Sequence, residues 1–261
     1  AISKDTPFLK GRKPIKMYKF IASIFSVVFL VCFVMNLLIF HVVQVVGRTL
    51  FGYQAHKVSV DILNFFLLRC FNLLGTRIQF NNSFELPTNR PLIILANHQN
   101  TADIPPLIWH LRKHHLKFVS KKELGKGIPS VSYNLRNGGS ALIDRRNPIK
   151  AVREIDRHAA LLAKNNWSTL IFPEGTRSKN GVPKKFKTRG IKTIIEKVPN
   201  VLIVPITINN SWKFNRWGNF PLPLGVKITF DVHEPVEPTA DLSNAFFDTI
   251  EKTITDAIVL D

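Results

Sequence analysis

From Phe20 to Val46 the chain reads FIASIFSVVFLVCFVMNLLIFHVVQVV, without one aspartate, glutamate, lysine or arginine. As a helix rising about 1.5 Å per residue, such a stretch is roughly 40 Å long, more than the hydrocarbon thickness of a bilayer. Asn36, His41 and Gln44 sit toward its far end and weaken a clean crossing there. A cleaved leader fits poorly, because the apolar part is too long and no small-residue cleavage site follows it. A buried core helix fits less well than a membrane segment, given the length and the basic flank. After Gly47, Arg48 and Gly52 comes a second segment, Val58 to Gly75, rich in Phe and Leu but carrying Asp61, Asn64, Arg69 and Asn72. At about 100° per residue these four fall on one arc, so the segment is amphipathic. An apolar helix followed by an amphipathic one predicts a hairpin anchored in or on a membrane.

From about Thr76 the pattern changes to short β-rich runs separated by helical stretches. Strands are expected at Leu92–Ala96, Leu116–Ser120, Ser140–Ile143, Ser168–Phe172, Val201–Thr207 and Val226–Val232. Helices are expected at Thr101–His114, with Pro105 and Pro106 in the permitted first turn, and at Ile149–Lys164, Thr188–Lys197 and Asp241–Leu260. Alternating strands and helices predict an α/β fold whose active groups sit on loops at strand ends: a mixed, mostly parallel sheet flanked by helices, preceded by the membrane-anchoring two-helix hairpin. The expected division is residues 1–75 for the basic flank and helix pair, and 76–261 for the α/β domain. Asn81–Asn89, short and polar, is the junction-like loop; no internal repeat is present.

Charge narrows the partners. There are 36 Lys+Arg against 18 Asp+Glu, a formal net charge of +18. Such an excess points to polyanions: nucleic acid, an anionic lipid surface or phosphorylated substrates. Within residues 1–19, Lys4, Lys10, Arg12, Lys13, Lys16 and Lys19 face the single acid Asp5, which places that flank on the cytoplasmic side. Hydrophobic residues make up 45% of the chain and Phe occurs 20 times, enough for a full core and incompatible with a disordered or fibrous chain. The two cysteines, Cys32 and Cys70, lie inside apolar runs and imply no disulfide framework.

Four segments carry candidate chemistry. Directly after the strand Leu92–Ala96 stands Asn97-His98-Gln99-Asn100-Thr101-Ala102-Asp103. A carboxylate at Asp103 is spaced to accept from one nitrogen of His98, leaving the other nitrogen as a base. Taken alone, the pair reads equally well as a loop histidine and a helix-starting aspartate. Phe172-Pro173-Glu174-Gly175-Thr176-Arg177-Ser178 follows another apolar strand; Pro173 and Gly175 shape a fixed turn, and Arg177 offers a planar fork matched to phosphate. Gly139-Ser140-Ala141-Leu142-Ile143-Asp144-Arg145 ends in an acid–base pair that could be a simple surface ion pair. Ile203-Val204-Pro205-Ile206 is an apolar strand with a proline.

Together and in this order, these segments closely resemble the glycerophospholipid acyltransferases, in particular the 1-acyl-glycerol-3-phosphate acyltransferase family. That family's His-x-x-x-x-Asp pair is matched by His98 and Asp103, and its Gly-x-x-x-x-Asp-Arg block by Gly139, Asp144 and Arg145. Its Phe-Pro-Glu-Gly-Thr-Arg-Ser string is matched without a change at Phe172–Ser178, and its Val-Pro-Ile segment at Val204–Ile206. The likeness is strong over about residues 90–210, and the N-terminal helix pair is also similar to bacterial members. One departure falls in the second block, where Ser140 and Ala141 stand in place of a bulky aromatic; it bears on the acceptor more than on the reaction.

The resemblance implies transfer of a fatty acyl chain from a thioester to the sn-2 hydroxyl of 1-acyl-glycerol-3-phosphate, giving phosphatidic acid. His98 is then the general base and Asp103 its orienting partner; neither cysteine lies near the motifs, against a cysteine nucleophile. Arg177, Arg145 and Lys121 would hold the acceptor phosphate, with Glu174, Gly175 and Thr176 lining the acceptor site. No cofactor is expected beyond the co-substrate, acyl-carrier protein or coenzyme A thioester, and no metal, since His114-His115 lacks partners at useful spacing. The expected partners are lysophosphatidic acid and an anionic membrane surface rather than nucleic acid, and the expected location is the cytoplasmic face of a bacterial inner membrane. Glycerol-3-phosphate or a lyso-aminolipid such as lyso-ornithine lipid are alternative acceptors. A basic, membrane-tethered binding protein without catalysis is the remaining alternative.

Overall fold

The computed structural model of the chain describes residues 12–144 and 146–260. Arg145 and the basic residues up to position 11 therefore lie outside the described residues. The long apolar run forms α1, Arg12–Leu73, interrupted at Gly52, whose φ of 80° and ψ of −161° are not helical. A residue with a Cβ would be strained in that conformation, so glycine sets the place where the chain reverses. The two halves pack antiparallel: Phe29 meets Phe71 with ring centroids 5.3 Å apart, and Phe40 meets Phe66 at 5.8 Å. The outer face leaves Phe20, Ile24, Phe25, Val31, Val42 and Phe51 uncovered by protein. Among the described residues, Lys16–Leu73 contains the one stretch long and apolar enough to cross a membrane.

Seven strands follow: β1 Arg77–Asn81, β2 Leu92–Ala96, β3 Lys117–Lys121, β4 Ala141–Ile143, β5 Thr169–Ile171, β6 Leu202–Asn209 and β7 Lys227–Val232. They form one sheet in the order β1-β7-β6-β2-β5-β3-β4. The five strands from β2 to β6 are mutually parallel, whereas β7 runs antiparallel to β6 and carries β1 parallel to itself. This is the mixed, mostly parallel sheet the pattern predicts. At its centre β2 is buried along its whole length, because both faces are covered. Leu92, Ile94 and Ala96 point into a core shared with Phe71 and Leu74 of the hairpin, with α2 (Ile104–His110) and with Phe214 and Phe230. Ile93 and Leu95 point the other way, toward α4 (Pro148–Asn165), α5 (Arg189–Lys197) and α6 (Asn244–Asp256), whose Leu162, Ile194 and Ile250 close the second core. The hairpin is thus one of the layers covering the sheet.

Two elements escape the periodicity. β1 alternates exposed and half-buried positions with no fully buried residue, so it lacks an apolar signature. α3, Val131–Asn137, is short and polar, entered through Ser130 at φ 61°. The single helix expected over Thr101–His114 is instead a 3₁₀ turn at Thr101–Asp103, then α2, then a second turn at Arg112–His114. The side chain of Asn100 caps the first turn, accepting from the Ala102 amide at 3.0 Å. His115 in the left-handed region (φ 49°) ends the second.

Where the second half of α1 begins, it is clamped to the sheet. Lys117 on β3 is buried, its ammonium 4.3 Å from the Trp167 ring centroid and 4.8 Å from that of Tyr53, with a 2.7 Å bond to the Tyr53 hydroxyl. Burial, reinforced by Lys57, lowers the Lys117 pKa to about 7. Trp167 also stacks on Tyr53 at 4.7 Å.

Candidate active site

Parallel strands deliver their C-terminal ends to one edge of the sheet, and the loops leaving β2, β3, β4, β5 and β6 gather there. The loop after β2 starts from a fixed point. The Asn97 carboxamide is fully buried and pairs with Ile208 in both directions, Nδ2 donating to its carbonyl at 2.8 Å and Oδ1 accepting from its amide at 2.7 Å. His98 emerges next, and its Nδ1 lies 2.9 Å from Asp103 Oδ2. The same carboxylate oxygen accepts from the Gln99 and Asn100 amides at 2.8 and 2.9 Å. Asp103 therefore cannot swing away from His98 without breaking two backbone bonds. A carboxylate there selects the tautomer with the proton on Nδ1 and leaves Nε2 with a free lone pair. Nε2 has no hydrogen-bond partner among the described residues. The imidazole plane is set by Phe172, stacked on it at 3.9 Å between centroids with 12° between planes.

The second motif locks onto the first. Glu174 is 2% exposed; its Oε1 accepts from the His98 amide at 2.8 Å and its Oε2 from the Lys184 amide at 3.0 Å. Burial raises its pKa, opposed by those two amides. The Ser178 amide donates to the His98 carbonyl at 2.7 Å, completing the lacing of the two loops. Each carboxylate oxygen of Glu174 thus takes an amide from a different loop, which makes Glu174 a staple between loops. Gly175 sits at φ 71° in the turn, a conformation favouring glycine. Thr176 and Arg177 are exposed. Lys121 is exposed at the end of β3, one residue beyond Ser120, which reaches the cavity described next. The Asp144-Arg145 pair is only half visible: Asp144 accepts from the Arg146 amide at 3.0 Å, and Arg145 lies outside the described residues.

Between the hairpin and the domain runs a largely apolar cavity of about 530 Å³. Phe29, Phe33, Leu63 and Leu67 of α1 form one wall, and Ile104, Phe118 and Leu135 the other. Asn100, Thr101, Arg177 and Asn215 stand at the dyad end, and Gln44 with Asn134 at the far end. From Phe29 to Gln44 the helix rises roughly 22 Å, at about 1.5 Å per residue. The polar groups that reach the dyad loop from after β6, Ser211 on Asp103 and Asn215 on Asn100, carry no motif and are not identifiable from the sequence alone; nor is Phe172 as the ring under the imidazole. Among the described residues no three His, Cys, Asp or Glu side chains cluster to hold a metal.

The fold thus brings the half-buried His98, its buried partner Asp103 and the exposed Arg177 fork to one edge of the sheet, beside a largely apolar cavity. The family model described as Acyltransferase matches residues 77–209, and the chain belongs to that family. Among curated relatives, the 1-acyl-sn-glycerol-3-phosphate acyltransferase of Cocos nucifera is 32% identical over 156 residues, covering 59% of this chain and 49% of the relative. That of Helicobacter pylori is 36% identical over 149 residues, 54% of this chain and 59% of the relative. That of Haemophilus influenzae is 26% identical over 204 residues, 75% and 82% respectively. The chain spans about half the length of the plant and mammalian relatives it matches. In fold it is similar to the crystal structure of the 1-acyl-sn-glycerophosphate acyltransferase PlsC from Thermotoga maritima, with a TM-score of 0.72 at 22% identity over 92% of this chain and 95% of that one.

Proposed function

We propose that the protein transfers a fatty acyl group from a thioester to the free sn-2 hydroxyl of 1-acyl-sn-glycerol-3-phosphate. The observation that carries this reading is the His98–Asp103 pair beside the cavity, which the dyad's own loop lines through Asn100, Thr101 and Ala102: a base stands next to a tail-sized apolar slot within the range of volumes of small-ligand sites. The matched relatives named as acyltransferases of this acceptor support it. His98 Nε2 removes the proton of the acceptor hydroxyl as its oxygen attacks the thioester carbonyl carbon. A C–O bond forms, the C–S bond breaks, and the imidazolium returns its proton to the leaving thiolate. Asp103 holds the ring and stabilises its positive state, which leaves no covalent acyl-enzyme in the sequence. Arg177, with Arg145 and with Lys121 at the end of β3, neutralises the acceptor phosphate. The donor is an acyl-carrier protein or coenzyme A thioester. The hairpin seats in the cytoplasmic leaflet of a bacterial inner membrane, and the basic surface faces the anionic headgroups, where each Lys or Arg contributes about 1 kcal/mol.

The test is turnover by detergent-solubilised protein offered lysophosphatidic acid, glycerol-3-phosphate and lyso-ornithine lipid with each donor, products read by mass spectrometry. Phosphatidic acid from lysophosphatidic acid is expected, falling about 10²–10⁴-fold in His98→Ala, the contribution of a positioned base. A different acylated product would move the acceptor; none from any acceptor would remove the catalytic reading.

A further inference from the structure

We propose that Ser211 is a positioning residue for the His98–Asp103 pair, held in register by a strap that docks on the first half of α1. Asp103 has no exposed surface. A buried carboxylate needs donors at both oxygens. Three donors meet Oδ2, as described above, but Oδ1 receives the Ser211 hydroxyl, at 2.5 Å. A hydroxyl donating to a carboxylate makes a charge-assisted hydrogen bond. Ser211 is itself fully buried. Its oxygen also lies 3.3 Å from Gln99 Oε1, but its single proton is directed by the shorter contact to Asp103.

Ser211 lies two residues past the stretch matched by the family model and begins a 3₁₀ turn, Ser211–Asn215. The other end of that turn holds the same loop: Asn215 Oδ1 accepts from the Asn100 side chain, the residue whose amide donates to Asp103. Beyond the turn the chain crosses to the membrane helix. Trp217 packs edge-on against Tyr18 at 5.3 Å. The Leu222 amide donates to Ser26 Oγ at 2.8 Å. Tyr18 receives the Leu224 amide at 3.0 Å and gives its proton to the Leu224 carbonyl at 2.9 Å. An unbroken line of contacts thus runs from the first membrane helix through residues 211–225 to the carboxylate behind His98. Without the serine proton, Oδ1 has no donor among the described residues, and the carboxylate is held through its Oδ2 bonds alone, which leaves its tilt, and with it the imidazole, less tightly set.

This inference rests on His98 being the base, so its test has one readout in turnover and one that needs no substrate. In Ser211→Ala, kcat is expected to fall about 10²-fold, the order that a misplaced catalytic group costs, with acceptor KM within about twofold. Ser211→Cys, similar in size and a weaker donor, is expected to lie between. In an Asp103→Asn background, Ser211→Ala is expected to cost nothing further, because the serine acts through that carboxylate. Independently of turnover, the His98 Nδ1 proton, assigned in ¹⁵N-histidine spectra by its loss in His98→Ala, is expected to exchange with water faster in Ser211→Ala than in wild type. Unchanged exchange, or an equal loss with Asp103 replaced, overturns the proposal. Should Ser211→Ala fail to fold, Ser211→Cys with wild-type exchange and kcat overturns it as well. A wild type inactive on every acceptor, but with exchange that depends on Ser211, would refute the acyl-transfer reading while leaving the positioning role intact.

Discussion

The histidine at the centre of the site is held by four kinds of contact: a carboxylate at Nδ1, a phenyl ring against its face, and backbone bonds to its own amide and carbonyl from the neighbouring loop. Only the first of these was legible in the sequence, because a four-residue gap between histidine and aspartate is a spacing rule, whereas stacking and cross-loop bonds depend on which strands become neighbours. Glu174 illustrates the difference. Its place in the motif suggested contact with substrate, yet its two oxygens serve the amides of His98 and Lys184. Glu174→Gln is expected to set an amide NH₂ against one of those N–H donors, and to cost about 1–3 kcal/mol of stability, measured as a lowered denaturation midpoint. Arg177 is the opposite case, an exposed side chain at the cavity mouth. Arg177→Ala is expected to raise KM for a phosphate-bearing acceptor about 10–100-fold, the worth of one charge-assisted contact, and to leave the denaturation midpoint unmoved. An unchanged KM would favour an acceptor without a phosphate monoester.

At the scale of elements, the apolar strands and the long helix could be read directly, since buried parallel strands are near-continuous apolar runs. β1 and α3 could not, because neither buries a continuous apolar set. The bend of α1 was legible as the break at Gly47, Arg48 and Gly52 between two helical segments; the backbone angles of Gly52 fix the residue at which the chain reverses. The clamp beside that bend has a pH signature. Lys117 is a base whose folded pKa, about 7, lies below its ordinary value of 10.5. The unfolded chain therefore binds more protons than the folded one between about pH 7 and 10.5, so stability rises with pH across that window and is lost as pH falls through it. The slope approaches about 1.4 kcal/mol per pH unit for one such group. Lys117→Met is expected to flatten the dependence of the unfolding midpoint on pH between 7 and 10; an unaltered slope would place the proton elsewhere.

For the whole molecule, the hairpin and the sheet domain share one cavity, with Phe29, Phe33 and Leu67 facing Ile104 and Leu135 across it. Narrowing it from the hairpin side, as in Phe33→Trp, is expected to shift acyl preference toward shorter chains. Each methylene denied burial forfeits about 0.8 kcal/mol, roughly a factor of four in kcat/KM, and competition between chain lengths read by mass spectrometry measures it. Because about a third of the residues lining the cavity belong to α1, under the proposed function the anchor and the gauge for tail length are one object. Under that function, removing residues 12–73 would not yield a soluble version of the same catalyst. It would leave a headgroup site open to water on its tail side, unable to tell one chain length from another, and would uncover the core that Phe71 shares with β2.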